Sequence, residues 1–350
     1  MLQDVKFYSP EDLAKFSELG ITPAGIDAWL SSPVHDRLVR TFDSYPPRSL
    51  LSNTARAFLY HCIVCKRPRR VLEIGTYRAG TTEVLARAMN EIDCGELYTI
   101  DPYGDGIIQP ILEAWPENLR SRVRFQPTDS MIFLSYAFSD KLTFDMIFID
   151  GNHDYEFALF DLLASSLVVS RSGVFVADNT DQVGPHYAVK KFLADHPEWR
   201  PLRREISSSK DPFHAGGFDV AGTTFRVLLA PDKFSLGPRP ISFGARRCQA
   251  IPVSSVQLDL ESSPSGTLYA KVYRRAFPKD VSDHSHPEEI KVTGSLHVPR
   301  GSCGKTTVPF PHSLVCKSPA DYWHVSELIL AFVPDDGGQN LLLRDEPSLA

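Results

Sequence analysis

The stretch that decides the fold is Val71-Leu72-Glu73-Ile74-Gly75-Thr76-Tyr77-Arg78-Ala79-Gly80-Thr81-Thr82. Its first four residues are typical of a short buried strand, and the rest predicts a turn into a helix over residues 83–90, with Thr81 or Thr82 as its cap. Gly75 and Gly80 remove side chains where a backbone would lie against a ligand, and a helix start offers unpaired N–H groups. This layout is typical of a nucleotide-binding turn.

The glycine spacing by itself leaves an ordinary strand-to-helix turn open. Gly75 and Gly80 are five residues apart, which matches neither the dinucleotide pattern G-x-G-x-x-G nor a P-loop. A second apolar strand, residues 97–100, ends on Asp101, 26 residues after Gly75. An acid at that place binds ribose in α/β nucleotide sites, because a carboxylate accepts from both hydroxyls. Asp101 therefore favours a nucleotide site over a plain turn.

This combination resembles the class I S-adenosylmethionine (SAM)-dependent methyltransferases, whose first motif opens V-L-E-I-G and whose second ends in an acid. The resemblance covers roughly residues 60 to 230. It implies an α/β fold, a Rossmann-like doubly wound sheet of about seven strands with a reversed last strand, and SAM as cofactor. The predicted cofactor-binding residues are Glu73, Gly75, Thr76, Tyr77, Gly80, Thr81, Thr82, Asp101, Tyr103, Asp129, Ser130 and Asp150.

Three of these residues lie in predicted loops. Tyr103 follows Asp101 at the carboxyl edge of the sheet, where ligands of open α/β sheets bind. Asp129 and Ser130 follow a third predicted strand, residues 122–126, where the resemblance implies contact with adenine. For these two residues an N-cap role in the next helix is left open.

A second informative stretch is Phe144-Asp145-Met146-Ile147-Phe148-Ile149-Asp150-Gly151-Asn152-His153-Asp154-Tyr155. Its continuous apolar run predicts a central parallel strand that is buried on both faces. Such a strand would deliver Asp150 and His153 to the carboxyl edge of the sheet, beside Gly75. The next helix is predicted over residues 156–170, with leucines on its buried face at 159, 162, 163 and 167.

Another predicted strand, residues 173–177, ends at Asp178 and Asn179. Asp178 follows Asp150 by 28 residues, one strand–helix–strand step, so both acids are expected at the same edge. Two carboxylates converging there would be costly unless they were protonated or bound to a cation. Because Mg²⁺ prefers oxygen ligands, Asp150, Asp178 and Asn179 are the predicted metal ligands.

The pattern D-G-x-H-x-Y at residues 150–155 resembles a subgroup of small-molecule methyltransferases that modify natural products and sugars. The metal ligand set is similar to that of the catechol O-methyltransferases, which carry a lysine where this chain has His153. A neutral histidine accepts a proton near pH 7, so His153 is the predicted catalytic base. The alternative is a histidine that caps the helix or packs near Tyr155. The resemblance implies O-methylation of a small hydroxylated molecule such as a natural product, a phenol or a sugar.

The composition of the chain argues against some classes of binding partner. The 350 residues carry 37 basic and 43 acidic side chains, a net charge of −6 that argues against a nucleic-acid surface. The chain shows neither a signal-peptide layout nor an apolar run of about 18 residues, so we expect no membrane and a cytoplasmic location. Cys62 and Cys65 are the only close cysteine pair and are interpreted as buried thiols.

Four segments are predicted. Residues 1–60 form a helical cap or dimerisation region that opens with an N-cap at Ser9, 61–235 the methyltransferase domain, 236–247 a linker, and 248–350 a β-rich module resembling a β-sandwich. Strands in that module are predicted at 256–260, 267–273, 290–297, 325–333 and 340–344. If the chain forms a homo-oligomer, the N-terminal helices or the β module are the expected contacts.

Three further features of the sequence bear on substrate and metal binding. The loop over 207–222, with His214, is expected to cover the substrate, and the cluster around His284 and His286 is interpreted as an exposed polar loop rather than a second metal site. The aromatic residues of the module are interpreted as strand core, with a carbohydrate platform as the alternative; they are Tyr269, Tyr273, Tyr322 and Trp323.

The rival from another functional class is a catalytically inactive SAM- or carbohydrate-binding scaffold. The presence of Glu73, Asp101, His153 and both metal acids argues against that loss of activity.

Overall fold

The computed structural model describes residues 5–43, 45–46, 48–196, 199–202, 222–231, 234–236, 238, 240–247, 252–278, 288–315, 322–336, 339–344 and 347–350. The chain divides into two compact units, Met1–Pro231 and Asp232–Ala350. Most of the predicted 207–222 loop, including His214, and the histidines at 284 and 286 lie outside the described residues.

Four helices precede the first strand, and each begins at a side chain that caps it. The helices are α1 Pro10–Leu19, α2 Pro23–Leu30, α3 Pro33–Thr41 and α4 Asn53–Lys66. Ser9 forms the predicted capping box with Asp12, because each side chain bonds the other residue's backbone N–H. The apolar faces of the four helices pack into one core with residues of the sheet, such as Val71 and Val176. None of the helices in the described ranges is long and apolar enough to cross a bilayer.

The sheet of the first unit has seven strands in the order β3-β2-β1-β4-β5-β7-β6. The strands are β1 Arg70–Ile74, β2 Glu96–Ile100, β3 Val123–Gln126, β4 Phe144–Ile149, β5 Val169–Ala177, β6 Arg200–Pro201 and β7 Arg226–Leu229. Strands β1 to β5 are parallel, whereas β7 runs antiparallel to both β5 and β6. The predicted Rossmann-like sheet with a reversed last strand is confirmed.

Helices cover both faces of this sheet. They are α5 Gly80–Glu91, α6 Ile108–Glu113, α7 Glu117–Arg120, α8 Ser130–Ser139, α9 Tyr155–Ser166 and α10 Val183–Asp195. Alternate residues of one strand enter different cores: Met146 and Phe148 lie in the core that includes α4 and α5, and Ile147 and Ile149 in the one that includes α8 to α10. Burial on both faces explains the continuous apolar run of β4.

Helix α9 is shorter than predicted. It ends at Ser166, and β5 begins at Val169. Leu162 is buried, but Leu163 and Leu167 are 37% and 53% exposed, so the prediction that they are core residues was wrong. Helical spacing alone overestimated the width of the buried face.

The cysteine interpretation is confirmed, because Cys62 and Cys65 are both buried. Burial raises the pKa of the Cys65 thiol to about 12.

The second unit consists of two antiparallel sheets that share one apolar core. One sheet has the order β13-β10-β15-β8 with β16 paired to β10, and the other has the order β12-β11-β14-β9. The strands are β8 Phe234–Leu236, β9 Ile241–Arg247, β10 Val253–Ser262, β11 Gly266–Pro278, β12 Glu288–Val298, β13 Gly304–Leu314, β14 Tyr322–Pro334, β15 Leu341–Leu343 and β16 Ser348–Leu349. Side chains of both sheets interleave between them, as in a β-sandwich.

Four strands of this unit were not predicted: β8, β9, β13 and β16. Residues 241–247, part of the predicted linker, form β9 and pair with β14. Strand β13 contains Pro309 and Pro311, and proline has no N–H to donate within a sheet. It lies at the edge of its sheet, where a missing donor is tolerated.

Candidate functional site

The glycine turn joins the ends of two strands. Gly75 has φ +99°, and a Cβ at this position would lie 2.0 Å from the carbonyl oxygen of Asp150. Its N–H donates to the carbonyl of Ile100 at the end of β2. Only glycine fits, because the backbone conformation and the contact both exclude a side chain. The turn thus brings the ends of β1, β2 and β4 together.

The start of α5 differs from the prediction. The helix begins at Gly80 after Ala79, which adopts a left-handed conformation, and no side chain caps it. The hydroxyl of Thr82 donates instead to Glu73, and that of Thr81 pairs with Ser49. The threonine cap was therefore a wrong prediction, because both hydroxyls serve tertiary contacts. A helix start without a side-chain cap suits an anionic group of a ligand.

Glu73 lies fully buried beneath the turn. Its Oε2 accepts from Thr82 Oγ1 and Thr99 Oγ1, both at 2.6 Å, and Thr99 also pairs with Thr76 at 2.6 Å. Its Oε1 has no hydrogen-bond partner among the described residues. Burial outweighs the two hydroxyl donors and raises the pKa of Glu73 to about 8. Sequence reasoning missed Thr99, whose position on β2 looked like that of any strand threonine.

We expect Glu73→Gln to change how stability depends on pH. The raised pKa means that the folded protein keeps a proton that the unfolded chain loses above about 4.5, so this group lowers stability as pH rises towards about 8. Its contribution to the slope is on the order of 1 kcal/mol per pH unit. Urea unfolding at pH 5 to 8 should show that the free energy of unfolding of the variant increases relative to that of the wild type as pH rises. Parallel profiles of the two proteins would contradict the prediction.

Asp101 ties together two loops at the carboxyl edge. Its Oδ2 accepts from the N–H of Tyr77 at 2.7 Å and its Oδ1 from the N–H of Tyr103 at 2.8 Å. The rings of Tyr77 and Tyr103 are 54% and 87% exposed. Because each carboxylate oxygen can accept more than one hydrogen bond, Asp101 can hold both loops and still bind a diol.

Asp129 caps a helix, the role that the sequence had left open. Its Oδ1 accepts from the N–H of Ile132 at 2.8 Å, at the start of α8. The neighbouring Ser130 lies near Asp161, which is buried on α9. Burial raises the pKa of Asp161 to about 6, although Ser130 acts in the opposite direction. Asp161 gave no signal in the sequence, because it lies in the middle of a helix. Contact of Asp129 and Ser130 with adenine stays a prediction.

His153 and two acids meet at the ends of β4 and β5. His153 Nε2 lies 3.6 Å from Asp150 Oδ1, and both side chains are partly exposed. The Asp150 carboxylate raises the pKa of His153. Asp178 is buried, and its Oδ1 accepts from Thr224 Oγ1 and from the N–H of Asn179, both at 2.6 Å. Burial and the charge of Asp150 raise the pKa of Asp178 to about 6.

The donor set fits a hard cation better than it fits a softer metal. Asp150 and Asp178 each carry a carboxylate that is costly to ionise, since burial raises the pKa of both. Asn179 adds an amide oxygen, and oxygen ligands are those that Mg²⁺ prefers. Across the described ranges, no group of three or more His, Cys, Asp or Glu side chains is arranged to hold a metal ion. The predicted magnesium site would therefore need Asn179 as its third oxygen donor.

The loop that carries His153 is held by α10. A Cβ on Gly184 would lie 2.0 Å from the carbonyl oxygen of His153 and 3.0 Å from the N–H nitrogen of Tyr155. The first turn of α10 thus packs directly on this loop. Gly184 follows Asn179 by five residues, so one segment carries Asp178 and Asn179 and also contacts the His153 loop. Sequence reasoning missed this glycine, because nothing local marks its contact.

Arg56 on α4 fixes a second segment against the glycine turn. Its guanidinium donates to the carbonyls of Leu51, Phe42, Tyr45 and Ser49, at 2.9, 2.7, 3.0 and 3.1 Å. Ser49 packs against Gly80, because a Cβ on Gly80 would lie 2.1 Å from the backbone nitrogen of Ser49. The segment before α4 therefore covers the start of α5, next to the predicted cofactor turn.

Residues 72–180, just under a third of the chain, match a family model described as a methyltransferase domain. This range includes the glycine turn, Asp101, His153 and the two predicted metal ligands Asp150 and Asp178. Together with the seven-stranded sheet and its reversed strand, the match defines a class I SAM-dependent methyltransferase domain in this chain. No curated protein matches the sequence.

Three solved structures similar to this chain are methyltransferases by name. An O-methyltransferase from Bacillus cereus, solved with SAH, is 18% identical over 62% of this chain and 99% of its own, with a TM-score of 0.40. The O-methyltransferase TomG from Streptomyces achromogenes, solved with SAM, is 18% identical over 66% and 100%, with a TM-score of 0.40. A methyltransferase from Geobacter sulfurreducens is 16% identical over 61% and 99%, with a TM-score of 0.39.

Proposed function

We propose that this protein transfers a methyl group from SAM to a hydroxyl oxygen of a small molecule, in a reaction assisted by Mg²⁺. The observation that carries the proposal is the meeting of His153, Asp150 and Asp178 beside the Gly75 turn. A base and two acids at the ends of neighbouring parallel strands supply what an acceptor hydroxyl needs, a proton acceptor and oxygen ligands for a cation. Phenols, sugars and hydroxylated natural products are the acceptor classes.

In this proposal Asp150, Asp178 and Asn179 hold the cation. When bound, Mg²⁺ would lower the pKa of the acceptor hydroxyl and fix its orientation. Thr224 and the N–H of Asn179 occupy Oδ1 of Asp178 and so fix the orientation of that carboxylate. The other carboxylate oxygen of Asp178, Oδ2, would then bind the cation.

His153 would remove the proton of the acceptor. Asp150 stabilises the imidazolium that forms, as the raised pKa of His153 indicates. The hydroxyl oxygen then forms its bond to the methyl carbon while the bond from that carbon to sulfur breaks, which leaves S-adenosylhomocysteine. Since no covalent enzyme intermediate is involved, most of the rate gain would come from orienting the two reactants.

We expect Asp178→Asn to lower turnover about 100-fold or more and to leave the affinity for SAM unchanged within about threefold. The variant keeps the size of the side chain but removes the charge that the cation needs. Turnover would be measured by SAH release with a panel of phenols and sugars, with Mg²⁺ and with chelator. Asp140→Asn, an exposed acid at the end of α8, is the matched control.

Calorimetric titration with SAM, with NAD as comparator, separates the parts of the proposal. SAM binding by both variants with turnover lost only in Asp178→Asn supports the catalytic cation. Equal turnover of Asp178→Asn and wild type would rule out the metal role. Failure of the wild type to bind SAM would overturn the whole proposal.

A further inference from the structure

A groove in the second unit lies between two edge strands, β12 of one sheet and β13 of the other. Its volume is about 530 Å³. Tyr269 from β11 contributes an aromatic ring, β12 contributes Thr293 and Ser295, and β13 contributes Pro309 and Pro311. All of its lining residues belong to the second unit, Asp232–Ala350.

The ring of Tyr269 belongs to the outer face of its sheet. Leu268 and Ala270 point into the core, and Tyr269 between them is 48% exposed. The interpretation of Tyr269 as a strand-core aromatic was therefore wrong. Its direct neighbour across the strand pair is Ser295, whose side chain is also exposed. Cross-strand neighbours on one face have Cβ atoms about 5 Å apart, so the ring and the hydroxyl can contact one ligand.

Gly294 allows the opposite wall to come close. A Cβ there would lie 2.5 Å from the carbonyl oxygen of Pro309 and 2.9 Å from the ring of Phe310. Phe310 turns into the core, which leaves Pro309 and Pro311 exposed at the groove. Two proline rings make a stiff apolar wall that offers no N–H at either position. The glycine thus lets β13 cross beside β12 and form a groove with walls of different chemistry.

The lining matches a neutral ligand that is both apolar and hydroxylated. No charged side chain lines the groove among the described residues. The exposed tyrosine ring and the prolines suit a flat C–H surface, while Thr293 and Ser295 supply hydroxyls that both donate and accept. A sugar ring combines a C–H face with a rim of hydroxyls. We propose that this groove is a binding site for a neutral saccharide.

A proline-rich peptide is the other ligand that binds grooves containing aromatic residues. Such peptides need a groove lined by several aromatic side chains. Among the described residues, Tyr269 is the one aromatic side chain exposed in the groove, and the hydroxyls of Thr293 and Ser295 lie beside it. The lining therefore favours the saccharide, and the peptide becomes an outcome of the test.

The test uses the full chain, fluorescently labelled, on a microarray of neutral glucose, galactose, mannose and rhamnose oligosaccharides and of proline-rich peptides. The best saccharide is then titrated by calorimetry against variants. Tyr269→Ala should bind about tenfold or more weakly, because it loses the stacking surface. Thr293→Val combined with Ser295→Ala should also weaken binding, while the ring stays in place.

Tyr273→Ala is the matched control. Tyr273 lies on the same strand and the same face as Tyr269, but it does not line the groove. The ammonium nitrogen of Lys271 lies over its ring, 4.4 Å from the ring centroid. Unchanged saccharide binding by Tyr273→Ala, with equal thermal melting of all variants, supports the site. The proposal is overturned if the wild type binds no neutral saccharide, if Tyr269→Ala binds as tightly as the wild type, or if only peptides bind. The affinity for SAM should be the same in every variant, so this test is independent of the methyl transfer proposal.

Discussion

His153→Ala should lower kcat by about 10² to 10⁴ and leave the affinity for SAM within about threefold of the wild type, because loss of a general base slows proton transfer and not cofactor binding. The imidazole lies 3.6 Å from Asp150 and is partly exposed, so the acceptor can reach it. Turnover by SAH release and SAM titration would be measured side by side. His312→Ala, an exposed histidine on β13, is the control that should keep full turnover.

The protonation of His153 gives an independent check of the same contact. In the protein without metal, its pKa should lie above the ordinary 6.5, because the Asp150 carboxylate stabilises the charged ring. NMR titration of the imidazole proton would measure this value, and Asp150→Asn should lower it. A His153 pKa unaffected by that substitution would show that the two groups do not interact, and unchanged kcat in His153→Ala would remove it from the mechanism.

The second large effect is expected for Gly75→Ala. The new Cβ would lie 2.0 Å from the carbonyl oxygen of Asp150, and φ +99° is strained for any residue with a side chain. Backbone strain alone costs about 1–3 kcal/mol, and the contact with a carbonyl of β4 adds to it, so we expect a loss of stability of about 3 kcal/mol or more. Because the turn must move, binding of SAM should be lost as well. Urea unfolding and calorimetry would measure the two effects.

Gly106→Ala is the matched control for this substitution. Gly106 also has a positive φ, +71°, but a Cβ there meets nothing within 4 Å. This variant should therefore lose only about 1 kcal/mol and should still bind SAM. Equal effects of the two substitutions would mean that the close approach of β1 and β4 does not shape the turn.

Much of the first unit could be predicted from the sequence, because its signals are local. Buried parallel strands require continuous apolar runs such as residues 146–149, and a glycine is needed where strand ends approach closely, as at Gly75. The capping box at Ser9 and the reversed strand after residue 222 were likewise visible in short stretches. Several of the predictions that failed depended on which side of an element faces solvent, as for Leu163, Leu167 and Tyr269.

By itself, the sequence determined the parallel sheet of the first unit and the acids that end its strands, since these follow from periodicity and residue type. Only the tertiary structure decided which distant residues support them. The contact of Gly184 with the His153 loop and the groove beside Tyr269 both join segments far apart in the chain. Such contacts form when elements pack, and packing depends on the shapes of both partners at once, which no local pattern contains.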